Sequence, residues 1–340
     1  MDLGILATVG PAEVRFGVFL ACIVLAMLGG YAARRTGVLR PAWAGTIMSA
    51  AIVGVDAPIA LLALWLLQAR ADVWKVPAAG LAVAVATVLA GLALARWRRM
   101  PPADRVVFAL QGGMGNVGYT LGGAIALAVW GMQGLAVEQV FCMMWPFVTF
   151  LFCFPIAHHY AGSGARAGPD GRPVGDLRYA VRILARSLAD IRSLPLYLAT
   201  LGLVLNLTGV PQPHQVVRWH LVDALMVAGI LMQFGSVGLT VEVRRLPAFW
   251  RPALGTAALK FVLSPVLMLG AALALGITGQ ALGVCLVLAA MPTALYSVMI
   301  ANLFRLNKDL ANTTFLLTHL VALGLVVPAI ALLARAGILG

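Results

Sequence analysis

Charged residues are scarce in this sequence of 340 residues: Asp, Glu, Lys and Arg make up 11% of the chain, and 62% of it is hydrophobic. A soluble globular domain has roughly a quarter of its residues charged, so the composition excludes that class. Ten apolar runs of about 17 to 25 residues, the length at which a helix crosses a bilayer, instead predict an all-α polytopic membrane protein. The runs are 16–33, 43–67, 76–94, 106–130, 137–157, 194–210, 221–241, 253–275, 281–304 and 313–333.

Cysteine is also rare, and it lacks the spacing of a redox or metal site. Cys22, Cys142, Cys153 and Cys285 lie within predicted spans without a CxxC pair, so we interpret them as packing residues. His319, inside the tenth run, is expected to be a hydrogen-bonded core histidine. No Ser-Lys, Asp-Asp or HExxH set occurs in the runs, which disfavours an intramembrane enzyme. We expect neither a metal nor another cofactor.

Most basic residues lie in loops on one side of the predicted membrane. If the loop after the first run is cytoplasmic, the five loops on that side hold 18 of the 24 Lys and Arg residues. The positive-inside rule then explains the net charge of +12 without a nucleic-acid partner, and it predicts both termini on the non-cytoplasmic side of the cell (inner) membrane. The acidic Asp2 and Glu13 ahead of the first run predict that this run is not a cleaved signal peptide.

Five runs on each side of a linker predict two inverted repeats. Residues 1–160 form the first five-helix repeat, 161–193 a cytoplasmic linker with an amphipathic helix, and 194–340 the second repeat. The second repeat enters the membrane from the opposite side to the first, an arrangement typical of many secondary transporters.

The fourth and ninth runs, at corresponding positions of the two repeats, are both interrupted. The Gly-rich segment 112–118 breaks the fourth run, and Pro292 breaks the ninth. Half-helices beginning near Gly118 and Thr293 would direct their positive ends at the membrane centre and favour a carboxylate or a similar anion. Tight glycine packing and an ordinary proline kink are the alternatives. The predicted substrate-binding residues are Gln111, Asn116, Gly118, Tyr119, Pro292, Thr293, Tyr296 and Ser297.

Two ionisable residues lie near the centres of predicted spans. Asp56 is central in the second run and Lys260 in the eighth, where a charged group requires a partner or a function. The two residues are predicted to act in charge coupling, with Asp56 taking up and releasing a proton during transport. A permanent Asp56–Lys260 ion pair is the alternative. If the halves align on their breaks, Gln233 occupies the position related to Asp56.

Motifs of the second half resemble those of the auxin efflux carrier family of plants and bacteria. They are Leu259-Lys260 with Pro265, then Ala289-Ala290-Met291-Pro292-Thr293-Ala294, Ala301-Asn302, and Thr313-Thr314 with Thr318; the first half agrees less closely, through Pro58 and Asn116-Val117-Gly118. The resemblance implies a ten-helix fold related to bile acid sodium symporters, with spans one, two, six and seven as a scaffold and the others moving. The chain has no acid between Ala281 and Arg305, which disfavours the sodium site usual in those symporters.

These observations predict a secondary transporter of a small organic anion that alternates access by an elevator or rocking movement at the two breaks. Proton coupling is an open option. A membrane receptor or sensor on the same fold is the alternative, and an intramembrane enzyme ranks below it. The lipid bilayer is the predicted environment, while the substrate, the direction of transport and the oligomeric state, a homodimer included, stay open.

Overall fold

The computed structural model describes residues 11–68, 73–160, 181, 185–186, 188–241 and 246–338, and this part of the chain is helical without a β-strand. Among these described residues, seven helices are long and apolar enough to cross a membrane, and two shorter helices are also apolar. Most of the predicted linker 161–193, with its amphipathic helix, lies outside the described residues. In chain order the helices are α1 (Pro11–Arg35), α2 (Pro41–Trp65), α3 (Val73–Trp97), α4 (Pro102–Gly113), α5 (Gly122–Tyr160), α6 (Ile191–Leu207), α7 (His214–Arg218), α8 (Leu221–Thr240), α9 (Pro247–Leu275), α10 (Gly279–Ala289), α11 (Leu295–Leu303) and α12 (Lys308–Arg335).

The helices differ most from the apolar runs at the two predicted breaks. Run 106–130 holds part of α4, the connection 114–121 and the start of α5, which then continues through run 137–157. The chain bends inside α5 at Gly131, whose φ of 63° and ψ of −152° are readily adopted by glycine alone. Run 281–304 is likewise divided into α10 and α11. The multi-pass membrane class is therefore confirmed, while the inverted ten-span layout stays a prediction.

Large apolar side chains are exposed on the outer faces of the helices. Leu25 in α1, Leu273 in α9 and Leu325 in α12 are 65%, 61% and 68% exposed. Polar residues lie inside instead, among them Asp56 at 4% exposure and Lys260 at 2%. This distribution reverses that of a soluble protein and fits a lipid-facing surface around a polar interior.

Four helices contain one wider π turn, and each of these turns is followed by a proline. The proline stands two residues after the turn. Because proline lacks an N–H group and its ring clashes with the carbonyl four residues earlier, the wider turn relieves the clash. The turns are Ile52–Asp56, Val148–Cys153, Leu259–Leu263 and Ala322–Val326, followed by Pro58, Pro155, Pro265 and Pro328. Two of the turns therefore carry Asp56 and Lys260.

Helices α1, α2, α6 and α8 pack on one another as a first bundle. Glycines permit the close approach. A Cβ added at Gly30 in α1 would lie 2.1 Å from the carbonyl oxygen of Gly235 in α8, and one added at Gly202 in α6 would lie 2.3 Å from that of Leu61 in α2. Such contacts through small residues are a common basis of helix association in membranes.

Polar contacts show that α1 and α8 run parallel. Near their N-terminal ends Arg15 forms an ion pair with Asp223 at 2.8 Å. Near their C-terminal ends Arg34 donates a hydrogen bond to the carbonyl oxygen of Val241 at 3.0 Å. The predicted topology gives spans one and seven this same direction.

Helices α3, α4, α9 and α12 form the core of a second bundle. Asn307 donates to Asp104 at 2.8 Å and joins the starts of α12 and α4. Lys75 at the start of α3 donates to the carbonyl oxygen of Leu275 at the end of α9, also at 2.8 Å. Helix α5 contacts both bundles, so it links them.

We expect Gly30→Ala to destabilise the first bundle, because its added Cβ would lie 2.1 Å from the carbonyl oxygen of Gly235. An overpacked contact costs roughly 1–3 kcal/mol of unfolding free energy. Gly29→Ala is the matched control, since nothing lies within 4 Å of a Cβ added there. Thermal unfolding in detergent measures the difference. Equal melting temperatures for the two variants would contradict the close approach of α1 and α8.

Candidate functional site

The two interrupted segments cross, and each donates one backbone hydrogen bond to the other. The amide of Asn116 donates to the carbonyl of Pro292 at 2.7 Å, and the amide of Ala294 donates to the carbonyl of Met114 at 2.9 Å. Unwound backbone at membrane depth must find its hydrogen-bond partners within the protein. Each break supplies partners for the other, so the two form one structural unit.

Asn116 is held in place by two side chains. Its Oδ1 accepts from Thr120 Oγ1 at 2.5 Å, and its Nδ2 lies 3.2 Å from His319 Nε2. His319 Nδ1 lies 2.8 Å from the carbonyl oxygen of Phe315. Because a carbonyl can only accept, Nδ1 carries the proton and Nε2 accepts from Asn116. His319 is the hydrogen-bonded core histidine that the sequence predicts, and it also orients the first break.

Thr293 and Ser297 support the second break. Thr293 is 0% exposed, and its hydroxyl lies 3.0 Å from the hydroxyl of Thr318 in α12. Ser297, in the first turn of α11, donates its hydroxyl to the carbonyl of Ala294 at 2.6 Å. Both predicted binding side chains therefore have protein partners.

A cavity of about 460 Å³ lies beside the crossing segments. This volume is in the range of small-molecule sites, roughly 300–1,000 Å³. Four of the eight predicted binding residues line it: Asn116, Gly118, Tyr119 and Tyr296. The other polar or charged side chains in the lining include those of Asp56, Thr120, Gln139, Thr149, Arg192 and Gln233.

The remaining four predicted residues lie outside this lining. Pro292 presents its carbonyl to the first break, and Thr293 and Ser297 bond within the protein. Gln111 is 1% exposed, and its Nε2 donates to the carbonyl of Ala311 at 2.9 Å. Gln111 thereby ties α4 to α12. These residues therefore support the crossing segments and do not line the cavity.

The helices after the breaks begin later than predicted. Helix α5 begins at Gly122 and α11 at Leu295, whereas the predicted starts were near Gly118 and Thr293. The predicted starts are wrong because the amides of Asn116 and Ala294 are used in the crossing hydrogen bonds, and residues 119–121 form a turn before α5 begins. A Cβ added at Gly122 would lie 2.3 Å from the carbonyl oxygen of Val117, so glycine is needed there. The first residues of α11 line the cavity, and the positive end of its dipole faces it.

Asp56 is bonded to Gln233 of the neighbouring helix α8. Both oxygens of this buried carboxyl accept from Gln233 Nε2, at 2.9 and 3.2 Å. The residue that the sequence placed in a related position is thus the direct partner of Asp56. Within the described chain no ion pair joins Asp56 to Lys260, which contradicts the static-pair alternative.

Lys260 lies behind the first break. Its Nζ is 2.9 Å from the position of a Cβ added at Gly115. No hydrogen bond or ion pair connects it to the residues that the structure describes. Asp56 and Lys260 line two different spaces that share Gly115 and Val117 as walls. The first break therefore separates the two ionisable groups.

Glu138 and Gln139 are buried polar residues that the sequence reasoning missed. Glu138 is 0% exposed and Gln139 5%, and Gln139 lines the cavity. A glutamate at the second position of a predicted span is typical of the membrane interface. The bend at Gly131 instead places it in the interior. An acidic residue within a predicted span, which needs a partner or a function, was the available signal.

The fold and the site together define a polytopic membrane protein with two crossed, interrupted helices. Residues 183–329 match the family model described as "Membrane transport protein". Auxin efflux carrier component 6 of Arabidopsis thaliana is 27% identical over 186 residues, which cover 48% of this chain and 32% of that protein. Probable auxin efflux carrier component 9 of Oryza sativa subsp. japonica is 24% identical over 155 residues, which cover 44% of this chain and 36% of that protein.

These matches confirm the resemblance to the auxin efflux carrier family. The chain spans about a third of the length of the curated relatives it matches. The matched family is one of membrane transport proteins, which is consistent with the predicted non-enzymatic class.

We expect the stability effects of Asp56→Asn and Lys260→Gln to add, because Asp56 is bonded to Gln233. The asparagine still offers an oxygen to Gln233 Nε2, so the fold should be retained. Effects at independent sites add to within about 0.5 kcal/mol. Thermal unfolding of the wild type, both single variants and the double variant measures the coupling. Rescue of either single variant by the second substitution would restore the ion-pair hypothesis.

Proposed function

We propose that the protein is a secondary transporter that moves a small organic anion across the cell membrane by alternating access. The observation that carries this proposal is the pair of crossed breaks, which bond to each other beside a cavity of about 460 Å³. Interruptions that only kinked their helices would not need to meet. The match of residues 183–329 to a membrane transport family supports the same function.

The cavity extends to the end of the molecule that bears Arg192. Leu188 and Arg192 are among its lining residues, and both belong to the predicted cytoplasmic linker 161–193. In the proposed orientation this conformation presents the site to the cytoplasm. Both chain termini then lie on the opposite side of the membrane.

At the opposite end α5 contacts the segment that follows α2, and we name this contact the Gln133 clamp. Gln133 lies in α5 just after the bend; its Nε2 donates to the carbonyl of Leu66 at 2.7 Å, and its Oε1 accepts from the amide of Gln68 at 3.0 Å. Leu66 follows Asp56 by about 15 Å at 1.5 Å per helical residue. The clamp therefore joins α5 to the first bundle away from Arg192. Opening that side requires the clamp to release.

Positive charge around the breaks supports an anionic substrate. Arg192 lines the cavity, the start of α11 faces it, and Lys260 lies behind segment 115–117. An ionised Asp56 opposes an anion, and a proton on Asp56 removes that repulsion. Proton uptake and anion binding are then thermodynamically linked. Movement of the second bundle against the first would also change the separation of Asp56 and Lys260.

Asn116→Leu should reduce counterflow of the substrate in proteoliposomes by about tenfold, which corresponds to one lost hydrogen bond of about 1.4 kcal/mol. A counterflow screen of organic acids with the wild type identifies the substrate first. Asn302→Leu is the matched control, because Asn302 is exposed and lies outside the cavity. Unchanged counterflow in Asn116→Leu would place the site elsewhere. Binding by the wild type without counterflow would favour a receptor.

Cys142 lines the cavity and reports the side to which it opens. In a variant without the other three cysteines, we expect a membrane-impermeant maleimide to label Cys142 from the cytoplasmic side. Gln133→Leu removes the clamp and should raise labelling from the outside. Gln215→Leu, at an exposed residue of α7, is the control. Labelling mainly from the outside with the clamp intact would contradict the proposed orientation.

A further inference from the structure

Three polar side chains are hydrogen-bonded in series, and the last of them is a carboxyl buried behind the cavity wall. The hydroxyl of Tyr119 donates to Gln139 Oε1, and Gln139 Nε2 donates to Glu138 Oε2, each at 2.5 Å. Tyr119 and Gln139 line the cavity, whereas Glu138 is 0% exposed. Glu138 is therefore connected to the cavity through its hydrogen-bonded neighbours.

In the part of the chain that the structure describes, the surroundings of Glu138 offer hydrogen bonds but no basic group. Cys142 Sγ donates to its Oε1 at 2.8 Å, and its Oε2 lies 3.2 Å from a Cβ added at Gly123, at the start of α5. The titratable groups that face it are Asp56 of α2, Tyr119 of the first break and Cys142 of its own helix. Among the described residues, α1, α3 and α10, which also pack against α5, place no charged side chain beside it. A buried carboxylate without a cation costs free energy, and a proton removes its charge.

The ionised form of Glu138 determines the direction of both hydrogen bonds in this series. A carboxylate can only accept, so the amide nitrogen of Gln139 must point to it. The amide oxygen of Gln139 then faces Tyr119, whose hydroxyl must donate to that oxygen. Tyr119 is left with only its lone pairs for the cavity, and these repel an anion.

A proton on Glu138 reverses these directions. The carboxylic acid donates to the amide oxygen of Gln139 once that amide has turned over about its terminal torsion, which has two similar minima. The amide nitrogen then donates to the Tyr119 oxygen. The Tyr119 hydroxyl hydrogen becomes available to the cavity, where it can bond to a carboxylate.

We propose that Glu138 is a proton site that controls, through Gln139, whether Tyr119 offers a hydrogen-bond donor to the substrate. In the protonation step a hydronium ion in the cavity transfers one proton to a carboxylate oxygen of Glu138 and becomes water. Oε2 is the carboxylate oxygen that faces Gln139, while Cys142, which also lines the cavity, bonds to Oε1. Proton binding and anion binding then favour each other. This inference rests on the proposed anion site. The hydrogen-bonded series Tyr119, Gln139 and Glu138, which we name the relay, is present without substrate.

Infrared difference spectroscopy of the purified protein, titrated with acid in the absence of ligand, tests the relay separately from transport. The wild type should gain a protonated-carboxyl band and, at the same pH, show a shift of a tyrosine C–O band. Glu138→Gln should lose the Glu138 part of the carboxyl band, with the band of Asp56 retained, and should lose the tyrosine shift. Gln139→Leu should keep the carboxyl band and lose the tyrosine shift, and Tyr119→Phe should do the same. Tyr296→Phe, which removes a phenol from the same cavity, and Asp56→Asn are the controls that retain the Glu138 band and the tyrosine shift.

Three results would overturn the relay. The first is a carboxyl band that survives Glu138→Gln unchanged. The second is a tyrosine shift that persists in Gln139→Leu or is lost in Tyr296→Phe. The third is a wild type whose tyrosine band does not respond to acid. If Glu138→Gln does not fold, Gln139→Leu and Tyr119→Phe still test whether the tyrosine shift depends on the relay, since both leave the carboxyl in place. Failure of the counterflow assay would not alter any of these spectra.

Discussion

Two backbone hydrogen bonds, one from each broken segment to the other, are the constraint on which the rest of the interior depends. They join Asn116 to Pro292 and Ala294 to Met114. A chain that leaves helical geometry inside a bilayer exposes donors and acceptors that lipid cannot satisfy. Because each break supplies a hydrogen-bond partner to the other, neither segment can be displaced alone without breaking both bonds. The side chains next to them, such as Asn116, are consequently presented to the cavity at defined positions.

Some polar side chains in this interior bond only to the protein, whereas others line the cavity. Thr293, Ser297 and Gln111 use their hydrogen bonds on the protein and hold the crossing in place. Tyr119 and Gln139 face the cavity, but their hydrogen-bond directions depend on groups behind the wall. The groups that line the cavity are therefore hydrogen-bonded to a buried layer behind them.

Local sequence was sufficient to locate the two breaks, through the glycines of segment 112–118 and through Pro292. Proline alone does not mark a break, since Pro58, Pro155, Pro265 and Pro328 lie within continuous helices. Local sequence was not sufficient to tell which side chains face the cavity. Gln111 and Asn116 are five positions apart in one segment, yet only Asn116 lines the cavity. The partner of Asp56 is 177 residues away in the chain. The burial of Glu138 depends on the conformation of Gly131, which no hydrophobic period encodes.

The four proline-linked π turns affect where a membrane span can lose a residue. A π turn holds one more residue than an ordinary turn, and an α-helix rotates about 100° for each residue. Deleting one residue in Ile52–Asp56 or Leu259–Leu263 would restore regular helical geometry and leave the rest of α2 or α9 in its present orientation. Deleting one residue from an ordinary turn would instead rotate the rest of the helix by that angle. Surface loops absorb such changes at little cost. Single-residue deletions in functional descendants of this sequence should therefore fall in surface loops or in the π turns, and not in the ordinary turns of the spans.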